Sequence, residues 1–193
     1  MFTGIVEDVG TIKSIEGNKF TITHRFGEKF SVGESIALSG MCSTVLTANE
    51  EEFTVEIMLE SRRRTTFGTA LVGEKVNLER SAQIGERNSG HFVTGHIDEV
   101  GKISSITRDG DAWKFRISFS KQNAELVVGK GSIGIDGCSM TVAACGDDWL
   151  EVCVISHTFR ETLFGVKKER DGVNLEFDIL GKYILRKKEV EGS

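Results

Sequence analysis

Residues 35–45 read SIALSGMCSTV, and residues 132–142 read SIGIDGCSMTV, a constant 97 positions later. Ser35/Ser132, Ile36/Ile133, Gly40/Gly137, Thr44/Thr141 and Val45/Val142 are identical at that offset. The likeness continues: residues 53–68 match residues 150–165, and VNLE at 76–79 recurs at 173–176. Nearer the start, GIVEDVGTIKSI at 4–15 resembles GHIDEVGKISSI at 95–106, where the offset is 91. The change of offset implies extra residues in a loop between the early strands and the shared motif. A unit of about 90 residues has therefore been duplicated, too few copies for a solenoid, so two similar domains are expected. One pair diverges in chemistry: Cys42 stands where the second copy has Ser139.

Within each unit the apolar residues alternate with period two, as in strands. GIVEDVGTIKSI, KFTITHRF, SIALSG, CSTVLTA, EFTVEIML and KVNLER follow one another between glycine, asparagine and aspartate turns. Proline is absent and glycine numbers 22, so turn chemistry falls to those residues. Six short strands per unit predict an all-β fold of two homologous Greek-key β-barrels, closure removing the exposed edges. LESRRRTTFG and SHTFRETLFG break the alternation and end at Gly68 and Gly165. Each predicts a short helix with a C-terminal glycine, plugging or lining a barrel end. The last stretch, residues 180–193, predicts a C-terminal helix, with a frayed tail as the alternative beyond Arg186.

The chain is mildly acidic, with a formal charge of −5, and its densest basic cluster is only Arg62–Arg63–Arg64. That excludes a basic nucleic-acid groove and favours a solvated face or a phosphate contact. No apolar run approaches the roughly 18–20 residues that span a bilayer. The start, MFTGIVEDVG, lacks the pattern of a signal peptide, and the four cysteines form no C-x-x-C pair. These features predict a cytoplasmic protein with reduced thiols and no metal.

MFTGIVEDVG, GHFVTGHID at 90–98 and the paired SIALSGMCSTV and SIGIDGCSMTV carry a resemblance to the riboflavin synthase family of the two-barrel, lumazine-dismutating type. It runs from Met1 to about Arg186. The resemblance implies a lumazine-binding barrel over residues 1–88, a second over 89–180, and a helix or tail over 181–193. It also implies a homotrimer whose active sites lie between subunits, and no cofactor. In the implied reaction, two molecules of 6,7-dimethyl-8-ribityllumazine exchange a four-carbon unit, giving riboflavin and 5-amino-6-ribitylaminouracil. The lumazine-binding fluorescent antenna proteins share the duplicated fold and are the alternative: they bind the ligand without turning it over.

The resemblance assigns catalytic roles to Cys42, His96, Ser139, Asp178, Ser35, Phe2 and His91. Cys42 would add to C7 of the acceptor lumazine or hold a water there; by residue type alone, a buried inert thiol is the competing reading. Cys138, Cys145 and Cys153 are read as inert. His91 and His96 are placed on opposite faces of a strand by alternation, which disfavours a shared metal. His96 is implied to move the proton of the acidic 7-methyl group, with hydrogen bonding at the barrel junction the alternative for His91. Ser35 and Asp178 would assist across the subunit contact, Asp178 being otherwise a strand-end carboxylate. Phe2 would lie near the reaction centre; without the resemblance it reads as a loose chain end.

The implied substrate-binding residues include Cys42, Ser43, Thr44, Glu56, Ile57 and Met58, with Glu60 and Ser61 lining the first pocket and Gly95, His96 and Ile97 next to the substrate. They also include Ser139 and Thr141 at the equivalent second-barrel positions, Met140, Lys130, the ligand-lining stretch Ile155, Ser156, His157, Thr158, Phe159 and Arg160, and the ligand-contacting Gly4, Ile5 and Val6. A solvated loop residue is the competing reading of Lys130. The chain departs from the family pattern at Ser39, Ser43, Ser89 and Ser156, and its tail is short.

Overall fold

In the computed structural model each unit closes into a six-stranded antiparallel barrel. Residues Met1–Gly192 are described; Ser193, the last residue of the tail, lies outside the described residues. The first barrel comprises β1 (Asp8–Glu16), β2 (Lys19–Thr23), β3 (Ser35–Leu38), β4 (Met41–Ala48), β5 (Glu52–Glu56) and β6 (Lys75–Arg80). The second comprises β7 (Glu99–Asp109), β8 (Ala112–Ser118), β9 (Ser132–Ile135), β10 (Cys138–Cys145), β11 (Trp149–Val154) and β12 (Gly172–Phe177). The strand order β1-β2-β5-β4-β3-β6 of the first barrel repeats in the second. Bulges repeat too: between Ile12 and Ser14 and between Ile103 and Ser105, and again at Val45/Thr47 and Val142/Ala144. A bulge adds twist and bend, which a barrel of so few strands needs in order to close.

The extra residues of the second unit fall in two places. Phe20 and Phe115, 95 apart, sit opposite Val55 and Val152, which are 97 apart. The first hairpin therefore takes most of the insertion. The following loop takes the rest and contains a 3-10 helix over Lys121–Leu126, which periodicity did not predict.

Side chains fill both lumens. Phe20, Ile22, Val45, Phe53, Val55 and Leu78 are fully buried in the first; Phe115, Ile117, Val142, Leu150, Val152 and Leu175 are their counterparts in the second. A ligand must therefore bind outside the lumen, because interiors this small close-pack.

The helical segments are shorter than their sequences suggested. Helix α1 (Leu59–Arg64) and helix α2 (Ser156–Glu161) stop at Thr65 and Thr162, which are extended. Each threonine hydroxyl then accepts a hydrogen bond from the N–H two residues on, at 3.3 Å, starting a 3-10 turn that ends at the glycine. Gly68 and Gly165 are thus not left-handed caps. Each is glycine because a Cβ would meet the carbonyl oxygen of Arg62 or Phe159 at 2.4 or 2.3 Å. The turn buries Phe67 edge-on against Phe20 and Phe164 against Phe115, stoppering each barrel. Helix α3 (Ile179–Glu191) begins one residue after its cap, Asp178, whose carboxylate accepts from Leu180 N–H at 3.0 Å, and continues past Arg186.

The barrels meet about a pseudo-twofold axis. The β3–β4 and β9–β10 turns carry Ser39–Gly40 and Asp136–Gly137, all with positive φ, the geometry of a two-residue hairpin turn. Their backbones touch: a Cβ on Gly40 would lie 2.8 Å from Gly137 N, and one on Gly137 would lie 2.7 Å from Gly40 N. Buried Asn77 donates to the Asp136 carbonyl at 2.8 Å and accepts from Leu163 N–H at 2.9 Å. Asn174 does the same with the Ser39 carbonyl at 2.9 Å and Thr66 N–H at 2.8 Å. These pairs satisfy backbone groups that barrel closure leaves open at the contact.

Candidate active site

Strand alternation turns Cys42 and Thr44 of β4 away from the lumen, while Val45 points into it. Beside them lies a cleft of about 300 Å³ lined by Cys42, Ser43, Thr44, Leu46, the β5 end Glu56–Met58 and Ser61 of α1. The equivalent positions on the second barrel are Ser139, Met140 and Thr141 of β10 and Ser156–Arg160 of α2.

Each surface is completed by chain from the other unit. Gly95 lies against Cys42, whose N–H donates to the Gly95 carbonyl at 2.8 Å. Gly4 lies against Ser139, whose N–H donates to the Gly4 carbonyl at 2.7 Å. Both glycines have positive φ, and a Cβ on them would fall 2.5 Å from Cys42 Cβ and 2.6 Å from Ser139 Cβ. No other residue fits there. The following residues cross over too: Ile97 packs on the first barrel's core, and Val6 on the second's.

Two buried carboxylates hold these crossing segments. Glu79 accepts from Thr3 N–H at 2.6 Å and Thr3 Oγ1 at 2.8 Å, both at Oε1, and from Gly4 N–H at 3.0 Å at Oε2. Glu176 repeats the pattern with Thr94 N–H at 2.6 Å, Thr94 Oγ1 at 2.7 Å and Gly95 N–H at 2.9 Å. Burial raises the Glu79 carboxyl above its usual value, although the donors from Thr3 and Gly4 pull it down.

Near Ser139 a second contact has chemical content. His91 Nδ1 lies 2.7 Å from Ser139 Oγ. Burial pushes the His91 imidazole below its ordinary value, opposed by the charges of Asp178 and Glu176, so the neutral ring is favoured. Gly90 just before it must be glycine, since a Cβ would overlap the Thr3 carbonyl. Phe2 is tied down rather than loose. It exchanges backbone hydrogen bonds with Val93 at 2.8 and 3.1 Å and is buried with Ala37 and Val93, with Cys42 packed against the cluster.

A family model described as the lumazine binding domain matches this chain twice, over residues 3–81 and 94–178. A riboflavin synthase from Actinobacillus pleuropneumoniae is 40% identical over 189 residues, covering 95% of this chain and 88% of that protein. Another from Schizosaccharomyces pombe is 37% identical over 195 residues, covering 95% and 91%. The chain belongs to the riboflavin synthase family. Its fold is shared by LumP solved with riboflavin, at a TM-score of 0.82 and 27% identity over 92% of this chain and 99% of that one. LumP solved with 6,7-dimethyl-8-(1'-D-ribityl) lumazine superposes at 0.79, with the same identity and coverage.

Against that family background, the candidate residues separate by location. Cys42, Ser43, Thr44, Glu56, Ile57, Met58 and Ser61 gather at the first cleft. Glu60 turns aside into an exposed ion pair with Arg64 at 2.6 Å. Ser35 opens β3 directly across from Thr44. Lys130 is an exposed turn residue at φ 70°, where the first barrel has Gly33 at φ 88°. Asp178 combines two positions, capping α3 while its charge acts on His91.

His91 and His96 do not alternate along a strand. Residues 91–97 lie outside the named strands, joined to Phe2 by one bridge at Val93. His91 is half-buried toward Ser139, and exposed His96 follows Gly95 at the Cys42 side. Among the described residues no group of three or more His, Cys, Asp or Glu could hold a metal. Cys138 is buried in the second core, where burial pushes its thiol far up and keeps it protonated.

Sequence reasoning missed three features. Glu79 and Glu176 were visible only as the ends of a repeated VNLE. Leu46 joins the first cleft from farther along β4. Trp113 stacks on Phe159 with ring centroids 3.8 Å apart and planes 6° from parallel. The first barrel has Asn18 and Arg62 at the matching places, joined by a long hydrogen bond of 3.5 Å.

Proposed function

We propose that this chain is a riboflavin synthase that dismutates two 6,7-dimethyl-8-ribityllumazine molecules, one in each barrel's surface pocket, giving riboflavin and 5-amino-6-ribitylaminouracil. The observation carrying this reading is the pair of matched surface sites, alike in backbone and unlike in chemistry. Cys42 stands in one, and the His91–Ser139 pair at 2.7 Å stands in the other. Two copies of one substrate need two similar sites, and donor and acceptor need those sites to differ. Holding both substrates in register supplies about 7–11 kcal/mol that a chance encounter would lack.

In this reading Cys42, or a water at its thiol, adds at C7 of the acceptor. Neutral His91, with Ser139 as its hydroxyl partner, and His96 exchange the protons of the 7-methyl group. Asp178 biases His91, Ser35 supports the first pocket through Thr44, and Phe2 packs behind Cys42. The binding units span 1–88 and 89–180, and 181–193 serves assembly. The reaction runs without metal or cofactor in the cytoplasm, in a homotrimer that faces the first pocket of one subunit with the second pocket of the next. Exposed Met58 and Leu59 beside one pocket, Ile155 beside the other, and Leu180, Tyr183 and Ile184 on α3 provide apolar surface for those contacts.

The test is the purified chain with the dimethyl lumazine and nothing else, following riboflavin fluorescence. Turnover is expected; tight binding with no riboflavin formed would assign the chain to the antenna proteins instead. Within the same assay Cys42→Ser is expected to lower kcat about a hundredfold, the scale on which a lost nucleophile or water-holding group acts. Cys138→Ser should leave it nearly intact, and equal losses would remove the role given to Cys42.

A further inference from the structure

We propose that Glu79 and Glu176 are positioning residues that act crosswise, each setting ligand affinity in the pocket of the opposite barrel. This rests on the two-pocket reading above and deepens it. Glu176 belongs to β12 of the second barrel, yet the Gly95 it holds accepts from Cys42 N–H in the first. Glu79 belongs to β6 of the first barrel, yet its Gly4 accepts from Ser139 N–H in the second. One glycine in each case is gripped on both sides, its N–H by a carboxylate of one barrel and its carbonyl by the pocket strand of the other.

Only a carboxylate satisfies this arrangement. Both oxygens of each side chain accept, Oε1 from the threonine N–H and hydroxyl and Oε2 from the glycine N–H, with the Gly4 N–H also reaching Glu79 Oε1 at 3.2 Å. A glutamine of the same shape would turn its NH2 toward the glycine N–H and set donor against donor, or turn it toward the threonine with the same result. The segment would then move, and it has nowhere to move freely, since each glycine already touches the pocket residue's Cβ position. For Glu176 the segment that shifts also carries His96, the residue after Gly95. The first pocket therefore depends on a side chain whose own barrel it does not belong to, and the second pocket mirrors it.

The experiment uses the full chain carrying Glu176→Gln or Glu79→Gln. Cys42 is alkylated with iodoacetamide across a titration of 6,7-dimethyl-8-ribityllumazine and read by peptide mass, and amide exchange is followed at Cys42 and Ser139. Glu176→Gln is expected to raise the lumazine concentration that protects Cys42 at least about tenfold, the scale of one lost charge-assisted hydrogen bond. It should speed exchange at the Cys42 amide and not at Ser139. Glu79→Gln should do the opposite, speeding exchange at Ser139 while Cys42 protection stays at the wild-type concentration. Both should lower kcat, because both pockets must be filled. Equal shifts of Cys42 protection in the two variants, or exchange speeding equally at both amides, would reduce the carboxylates to general structural supports and overturn the proposal. Wild-type protein that binds lumazine and makes no riboflavin would defeat the proposed activity but not the crossing. Wild-type Cys42 left unprotected at every concentration would defeat the ligand reading, and the exchange pattern alone would then decide the crossing.

Discussion

His91 shows how a residue shared by many proteins acquires a particular role from its surroundings. Burial lowers its affinity for a proton, and Asp178 and Glu176 offset only part of that. The unfolded chain therefore binds the proton more readily than the folded one. Stability from this group is fully present above the ordinary value of 6.5 and is lost as pH falls from there through the lower folded value. If neutral His91 is the working form, the acid limb of kcat/KM should lie below pH 6.5. His91→Gln should abolish that limb while lumazine still binds; a limb left unchanged in the variant would move the proton chemistry elsewhere. The histidine's presence was legible in GHFVTGH. Its partner was not, because Ser139 lies 48 positions away and reaches it only through the crossing segment.

At the scale of the elements, repeated text corresponded to repeated structure wherever the interactions are local. KVNLER was read as a strand and is β6 end to end. The helices were misjudged at their ends. A glycine after a polar run usually marks a left-handed cap, but here the threonine three residues earlier stops the helix and the glycine serves a close backbone approach. The asparagines of VNLE carry the contact between barrels, which strand periodicity cannot reveal: inward and junction-facing positions look alike in a string of alternating residues. Asn77→Ala would leave the Asp136 carbonyl and the Leu163 N–H buried without partners, costing about 2–4 kcal/mol. Asn174→Ala should cost a similar amount, and both should appear as lower midpoints in urea denaturation. A change within experimental error for either would mean that water replaces the amide at that contact.

For the whole molecule, the exposed helix α3 bears on assembly. Helix α3 has no buried residue, and its Leu180, Tyr183 and Ile184 are exposed. If α3 joins subunits, Leu180→Glu with Ile184→Glu should convert a trimer to monomers by sedimentation. Those monomers should still bind lumazine while losing nearly all turnover. Full activity in a monomer would show that the two pockets of one chain suffice.

By itself the sequence determined the duplication, the strand count, the hairpin turns and the family, because periodicity, turn chemistry and repeat offset are all written along the chain. The SIALSGMCSTV and SIGIDGCSMTV stretches were legible as a matched pair of strand walls, one per barrel, and Cys42 against Ser139 as their point of divergence. Only the tertiary structure decided that each wall is closed by chain leading into the other barrel. It also decided that Glu79 and Glu176 hold that chain and that full lumens confine the pockets to the barrel surfaces. Those outcomes depend on contacts made when two closed barrels dock about a pseudo-twofold axis. A carboxylate with three donors in space has no periodicity by which a linear reading could find it.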